Sequence, residues 1–358
     1  MITRLFRSVA MKNIQRGMCV FFSLALAGCQ SFGGGASVPA SVASKMTTLA
    51  ASDPLSALVG EFDNNAQVWR AQTQLQSPAP QPAKGKPAPI RETVPLRVHQ
   101  LVHLLEHKNA GSALLLWQLD VTGAAPPVSA TWLVRVTIDA NGVTLLPYRA
   151  ADPAAIAARL GDAAKRFAVQ PNEWVELDAC AMHGAMQNGH LVASVDQTRC
   201  ASLLPGIGVS AALLPLRIDA DAEILRVATF ADQARSPTAQ QEARRVRWFG
   251  GWAAINGAGP RATMESKDWH EQRKLRIHDE GGRLAVLWRD GSRSGYSVEL
   301  SRQNVGGESQ VLKLALIEDA SARALSYVWA NPEATRIGMH LGWVQVGLEL
   351  QGEPAIAR

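Results

Sequence analysis

The chain has 358 residues, 47% of them hydrophobic, with 36 lysines and arginines against 31 aspartates and glutamates, a formal charge of +5. Four of the basic residues and none of the acidic ones precede Cys29, so the chain from Cys29 onward holds 32 basic against 31 acidic residues, a net +1. That near-neutrality, with no basic run longer than Arg244-Arg245-Val246-Arg247, argues against nucleic acid as a partner. No Gly-x-Ser-x-Gly elbow, phosphate-cradling loop or dinucleotide fingerprint is present, so no local motif marks an enzyme, although catalytic triads need not be local.

Arg4, Arg7, Lys12 and Arg16 precede an apolar run from Val20 to Leu26, and the small residues Ala27-Gly28 follow. A positive segment, a short apolar core and small residues before a cut make a secretory signal. The run is too short to span a bilayer. Met11 opens a tighter version of the same signal, which makes Met1 to Ala10 a candidate upstream extension. With Cys29 directly after the cut, Leu26-Ala27-Gly28-Cys29 resembles a bacterial lipoprotein signal. The resemblance implies cleavage before Cys29, a diacylglycerol on its thiol and an acyl chain such as palmitate on its amine. Gln30, where an Asp would retain the protein at the inner membrane, implies the periplasmic face of the outer membrane. The lipid bilayer is then the first expected partner, held firmly because each buried methylene adds about 0.8 kcal/mol. Residues 1–28 are expected to be the signal and residues 29–44, rich in Gly, Ser and Ala, a flexible tether. Cys19 falls within the signal. Cys180 and Cys200 remain as an even pair in an oxidising compartment and are predicted to form a disulfide. A two-cysteine metal site ranks below it, because the close paired spacing of zinc sites is missing.

A first helix is expected from Lys45 to Phe62, with Leu49, Leu55, Leu58 and Val59 on one face and Pro54 able to split it. Ser77 to Pro89 is a proline-rich loop tending to polyproline II. Strands follow at Leu96 to Leu105, Ala113 to Val121, Trp132 to Ile138 and Val143 to Tyr148, with Asp139-Ala140-Asn141-Gly142 as a hairpin signal. Pro153 to Phe167 reads as a helix capped by Asp152. Further strands are expected at Trp174 to Cys180, His190 to Val195, Leu213 to Ile218 and Glu223 to Thr229, with turns at Asn188-Gly189 and Asp219-Ala220-Asp221. About eight strands suffice to close a small antiparallel barrel with room for one ligand. This places a barrel domain at 45–233, a polar linker at 234–247 and a smaller β unit of about six strands at 248–358.

The stretch Gly60-Glu61-Phe62-Asp63-Asn64-Asn65-Ala66-Gln67-Val68, the pair Val98-His99, the segment from Cys180-Ala181-Met182-His183-Gly184 to Cys200, and Trp248-Phe249-Gly250-Gly251-Trp252 with Gly259-Pro260 resemble the CpcT/CpeT family of phycobiliprotein chromophore lyases. The likeness runs from Leu55 to Pro260. It implies a mainly β fold: a lipocalin-like antiparallel calyx with short helices, which holds a linear tetrapyrrole and delivers it to a cysteine of a phycobiliprotein. An exported chain would not meet that acceptor, and folds transfer more safely than chemistry. The leading expectation is therefore a barrel that binds a small, largely apolar, tetrapyrrole-like ligand. Lyase-type transfer and a non-enzymatic role in envelope assembly are the alternatives, and no cofactor is expected.

Five residues are candidates for ligand contacts. Asn64 and Gln67 offer amides at the barrel mouth, or else brace a helix end. His99 can donate to a ligand carboxylate. Arg135 could pair with one bidentately if it faced inward, but the two-residue period sets it opposite Val134 and Val136. Tyr148 fills the core or offers its hydroxyl. His99, His103 and His107 share one strand face but stand roughly 13 Å apart in turn, too far for one ion, and no metal is expected. Most tryptophans, including Trp117, Trp132, Trp174, Trp288, Trp329 and Trp343, read as core, and Trp248 and Trp252 as the exposed pair.

Overall fold

A computed structural model describes residues 53–76, 94–108, 111–122, 128–162, 165, 167–202, 208–263, 265–305 and 309–352. The expected signal, Cys29, the tether, the start of the expected first helix and the proline-rich loop lie outside the described residues. No helix among the described residues is long and apolar enough to cross a membrane.

Pro54 starts a helix instead of splitting one. The Asp53 carboxylate accepts the Leu55 N–H at 3.0 Å and Pro54 takes the first helical position of α1 (Pro54–Leu58), which seats Leu55 and Leu58 in the core. The expected helix end is instead a strand, β1 (Gly60–Asp63), and the polar helix α2 (Asn65–Gln76) follows. Four long strands come next: β2 (Arg97–Lys108), β3 (Ser112–Thr122), β4 (Val128–Asp139) and β5 (Gly142–Ala150). The predicted turn joins the last two, with the Asp139 carboxylate accepting the Asn141 N–H at 2.7 Å and Gly142 at φ +129°. Asp152 caps α3 (Pro153–Gly161), which is shorter than expected and stops at Gly161, a poor helix former. Then come β6 (Trp174–Glu176), β7 (Met182–Gln187), β8 (His190–Val195), α4 (Gln197–Ala201), β9 (Pro215–Ala220), β10 (Ile224–Thr229), α5 (Phe230–Arg235) and β11 (Gln241–Arg245).

These strands close into an antiparallel barrel in the order β4-β3-β2-β1-β11-β10-β9-β8-β7-β5, with β5 pairing back onto β4 and β6 added beside the end of β5. The ring has ten strands, not eight, because the short or polar β1, β7 and β11 complete it. The segment expected as a linker therefore holds the end of α5 and β11, whose Gln241 and Ala243 face inward between β1 and β10. Only Val246 and Arg247 separate the barrel from the next strand. The barrel interior is one apolar cluster reaching from Leu55, Leu58 and Phe62 to Trp117, Trp132, Leu145, Met182, Ile218 and Val227. A smaller cluster of Leu116, Leu133, Ile156 and Trp174 packs α3 against the outer wall. Cys180 and Cys200 are disulfide-bonded and fully buried, tying the turn after β6 to α4.

The C-terminal unit has eight strands: β12 (Trp248–Asn256), β13 (Trp269–His278), β14 (Glu280–Leu287), β15 (Arg293–Val305), β16 (Ser309–Glu318), β17 (Arg323–Ala330), β18 (Arg336–His340) and β19 (Val344–Leu350). They form two four-stranded sheets, β13-β12-β19-β18 and β14-β15-β16-β17, over a shared core that includes Phe249, Ile255, Val298, Leu314, Leu316 and Val346. The strand count exceeds the expected six because glycine-rich β12 reads poorly as a strand and the stretch from Arg336 to Leu350 is a hairpin.

Candidate functional site at the junction of the two β units

In β1 and β2 the side-chain period of two sends Phe62, Val98 and Gln100 into the barrel and Glu61, Asp63 and His99 out of it. On the barrel wall this outward patch faces the β13–β14 turn of the second unit. Asp63 and His99 are directly paired across the ladder. His99 is held at both ring nitrogens: Nε2 is 2.9 Å from Glu61 Oε1 and Nδ1 is 3.2 Å from Asp63 Oδ2. Arg97 clamps Asp63, with Nε 3.1 Å from Oδ1 and Nη2 3.2 Å from Oδ2, and also donates to the Glu280 carbonyl at 2.7 Å. From the second unit, Trp248 Nε1 donates to Glu61 Oε2 at 2.7 Å and the His278 ring lies 5.5 Å from that of His99. His278 packs edge-on against Trp248, and the Arg276 guanidinium lies over the Trp248 ring.

Beneath this pair lies a deeper ion network. Asp279 and Glu280 are both 0% exposed. Arg302 Nε is 2.8 Å from Glu280 Oε1 and 3.1 Å from Asp279 Oδ2, and its Nη2 donates to the Arg245 carbonyl at 2.6 Å. Arg247 holds Asp279 through its backbone N–H at 2.8 Å and its Nε at 2.6 Å. Arg244, reaching out from the barrel, stands 3.9 Å from Glu280. Gly281, at φ +72°, makes the turn, and a Cβ there would meet the Asn65 side chain at 2.7 Å.

The electrostatics follow from burial and pairing. Burial disfavours a charged His99, but its hydrogen bonds to Asp63 and Glu61 and the charges of both carboxylates outweigh that and raise its pKa to about 9. Burial also works against ionised Asp63, yet His99 and Arg97 hold its pKa below the usual range, and Glu61 is held down in the same way by His99 and Trp248. Burial pushes His278 down, toward its neutral form. Burial drives Glu280 up to about 7, with Arg302 and Arg244 offsetting part of the rise. The junction thus holds a charged imidazolium, a neutral imidazole and carboxylates of different proton affinity within one patch. Asp63, His99 and His278 each present a ligand atom within 4.8 Å of the others, the composition of a metal-binding group.

Of the five candidate residues, only His99 lies in this patch. Asn64 is fully buried and spent on structure: Oδ1 accepts the Val98 N–H at 2.7 Å and Nδ2 donates to the Leu96 carbonyl at 2.9 Å. Gln67 braces β11, donating to the Gln240 carbonyl at 2.8 Å and accepting the Glu242 N–H at 3.0 Å. Arg135 and Tyr148 meet on the outer wall of the barrel, where both bond Glu176, at 3.3 and 2.8 Å. Burial and the Glu176 bond raise the Tyr148 pKa to about 12. His103 packs edge-on against Phe167 and His107 is exposed, so the histidine row does not converge. Trp248 is a junction residue, whereas Trp252 is exposed as expected and Trp329, expected in the core, is 52% exposed. Sequence reasoning missed the roles of His278, Glu280, Arg244 and Arg302, because it did not read β11 as a strand beside β1 and had no link from β13, β14 or β15 to β1. No protein-family model matches the chain, and no curated protein matches it.

Proposed function

We propose that this chain is an envelope lipoprotein, anchored through acylated Cys29 at the periplasmic face of the outer membrane, that works by binding a protein partner and not by chemistry inside its barrel. One observation carries the reading. The inward-facing side chains of the barrel, among them Phe62, Trp117, Trp132, Leu145, Met182 and Ile218, are each at most 1% exposed, so the chain itself fills the space that a calyx would offer. Sites for small ligands enclose about 300–1,000 Å³. Exposed aromatic surface lies instead on the second unit. Tyr327 and Trp329 stack at 5.3 Å on β17, an edge strand of its sheet, beside exposed Leu325. On the other sheet, Trp252 overlies Gly347 at the side of an open trough of about 480 Å³. Exposed Trp and Tyr of this kind are enriched at protein interfaces.

A small-molecule reading keeps one observation in its favour. Trp132 Nε1 is buried in the barrel core and has no hydrogen-bond partner among the described residues, and Gln100 places an amide nearby through Trp117. A bilin or similar apolar ligand would have to displace core side chains to reach them. Mass spectrometry of the chain purified from native membranes separates the readings. The expected result is an acylated Cys29, an oxidised Cys180–Cys200 pair and no retained small molecule. A stoichiometric apolar compound released on unfolding would refute the packed-scaffold reading in favour of a calyx. Transfer of phycocyanobilin to an acceptor apoprotein faster than the uncatalysed rate would establish the lyase alternative.

A further inference from the structure

We infer that Asp63, His99 and His278, backed by Glu61, form a binding site for a divalent transition-metal ion of the zinc class, which would fasten the barrel to the C-terminal unit. Two adjacent ligands of a tetrahedral ion, each bonded at about 2.0–2.2 Å, stand about 3.3–3.5 Å apart. His99 Nδ1 and Asp63 Oδ2 are 3.2 Å apart and so already have that spacing. They are fixed there by cross-strand pairing of β1 with β2, which is a rigid base for a site. His278 completes the group: each of the three residues offers one ligand atom within 4.8 Å of the others. Its Nδ1 is held by a long 3.3 Å hydrogen bond from the Glu280 N–H, so turning the ring gives up little.

The surrounding groups are those a metal site requires. A ligating histidine commonly donates its other ring N–H to a carboxylate, which fixes its orientation and strengthens the ligand. Glu61 is placed for that role at 2.9 Å from His99 Nε2, and Trp248 Nε1 fixes Glu61 in turn at 2.7 Å. Arg97 orients Asp63 through both carboxylate oxygens. The ion would replace the proton that Nδ1 and Oδ2 share, and two carboxylates would face its charge. Because the ligands come from β1 and β2 on one side and the end of β13 on the other, an ion here bonds both units at once. The competing reading of the same geometry is a closed structural ion cluster that takes no metal.

The test uses the chain from Cys29 onward, with Cys29 replaced by serine, stripped with a chelator and titrated with zinc chloride by calorimetry and with cobalt chloride by visible absorption. The expected result is one ion per chain, d–d bands of low-symmetry cobalt, and a higher unfolding temperature with zinc. His278→Ala, which removes only the long bond from Glu280 and ring packing, should weaken binding at least 10-fold, and Glu61→Gln should weaken it about 10-fold. His190→Ala, at a more exposed histidine beside Asp219, should leave affinity unchanged. No binding by the folded protein at 100-fold excess zinc, or full affinity retained in folded His278→Ala, would overturn the assignment and leave the ion cluster as purely structural.

Discussion

Arg302 is the keystone of the buried network, and replacing it with methionine tests how the two units are held. Methionine keeps most of the aliphatic stem and removes the charge. Asp279 would keep Arg247, but Glu280 would be left with only Arg244 at 3.9 Å, and the Arg245 carbonyl would lose its 2.6 Å donor. Removing one partner from a buried pair costs about 3–5 kcal/mol when the other charge is stranded. Glu280 can escape by taking up a proton, since burial already lifts its pKa to about 7. The cost should therefore depend on pH. At pH 5 the carboxyl is neutral with or without Arg302, and the loss reduces to hydrogen bonds, about 1–3 kcal/mol. At pH 8 the wild-type carboxylate is ionised and paired, whereas the variant must protonate it, which adds about 1–2 kcal/mol. Urea unfolding of Arg302→Met at pH 5 and pH 8 measures both, with Glu280→Gln as a companion that should be close to neutral at pH 5. A loss under about 1 kcal/mol at pH 8, or an equal loss at both pH values, would refute the description of the junction as a buried ion network held by Arg302.

Other outcomes follow from the same geometry. His99 has its pKa raised from 6.5 to about 9 in the fold, so its contribution is complete below pH 6.5 and lost as pH rises through 9. Unfolding measured at pH 7.5, above the range of Glu280, and at pH 9.5 should show a loss of about 2 kcal/mol that His99→Gln abolishes. Asp63 and Glu61 are held down, so their contribution runs the other way and disappears on acidification below their usual range. Trp117→Phe should cost about 1–3 kcal/mol because it strands the buried Gln100 acceptor, whereas Trp132→Phe should cost less, since Nε1 of Trp132 bonds nothing among the described residues. Replacing Cys180 and Cys200 by alanine releases a loop closed over a separation of 20 residues and should cost about 3 kcal/mol in denaturant unfolding.

The barrel wall was legible where apolar alternation is strong. β3, β4 and β5 each send three or more hydrophobic side chains inward, and the Asp139 to Gly142 turn joins two of them as its residues require. β1 and β11 were not legible, because each places only one or two residues inside and is otherwise Glu, Asp, Gln or Arg. Missing them hid the candidate site, since Asp63 meets His99 only when β1 is a strand. The alternation Glu61-Phe62-Asp63, polar-apolar-polar after a helix stop, was the signal available. His278 and Glu280 lie about 180 residues downstream of Arg97 and His99, and only the packing of one unit on the other brings them near. Gly281-Gly282 beside them is a turn signal, but a turn does not announce what it faces.

The pairing of β1 with β11 has a consequence for how the chain comes into being. A polypeptide emerging from its N-terminus makes Phe62 about 180 residues before the Arg245 that lies opposite it, so the ring stays open for most of synthesis. Until then β1 and β10 each expose a bare edge, and any product truncated before Gln241 would keep them. Once Arg245 arrives, its guanidinium covers the Phe62 ring and donates to the carbonyls of Val59 and Ser56, latching the last stave of the ring onto the first helix.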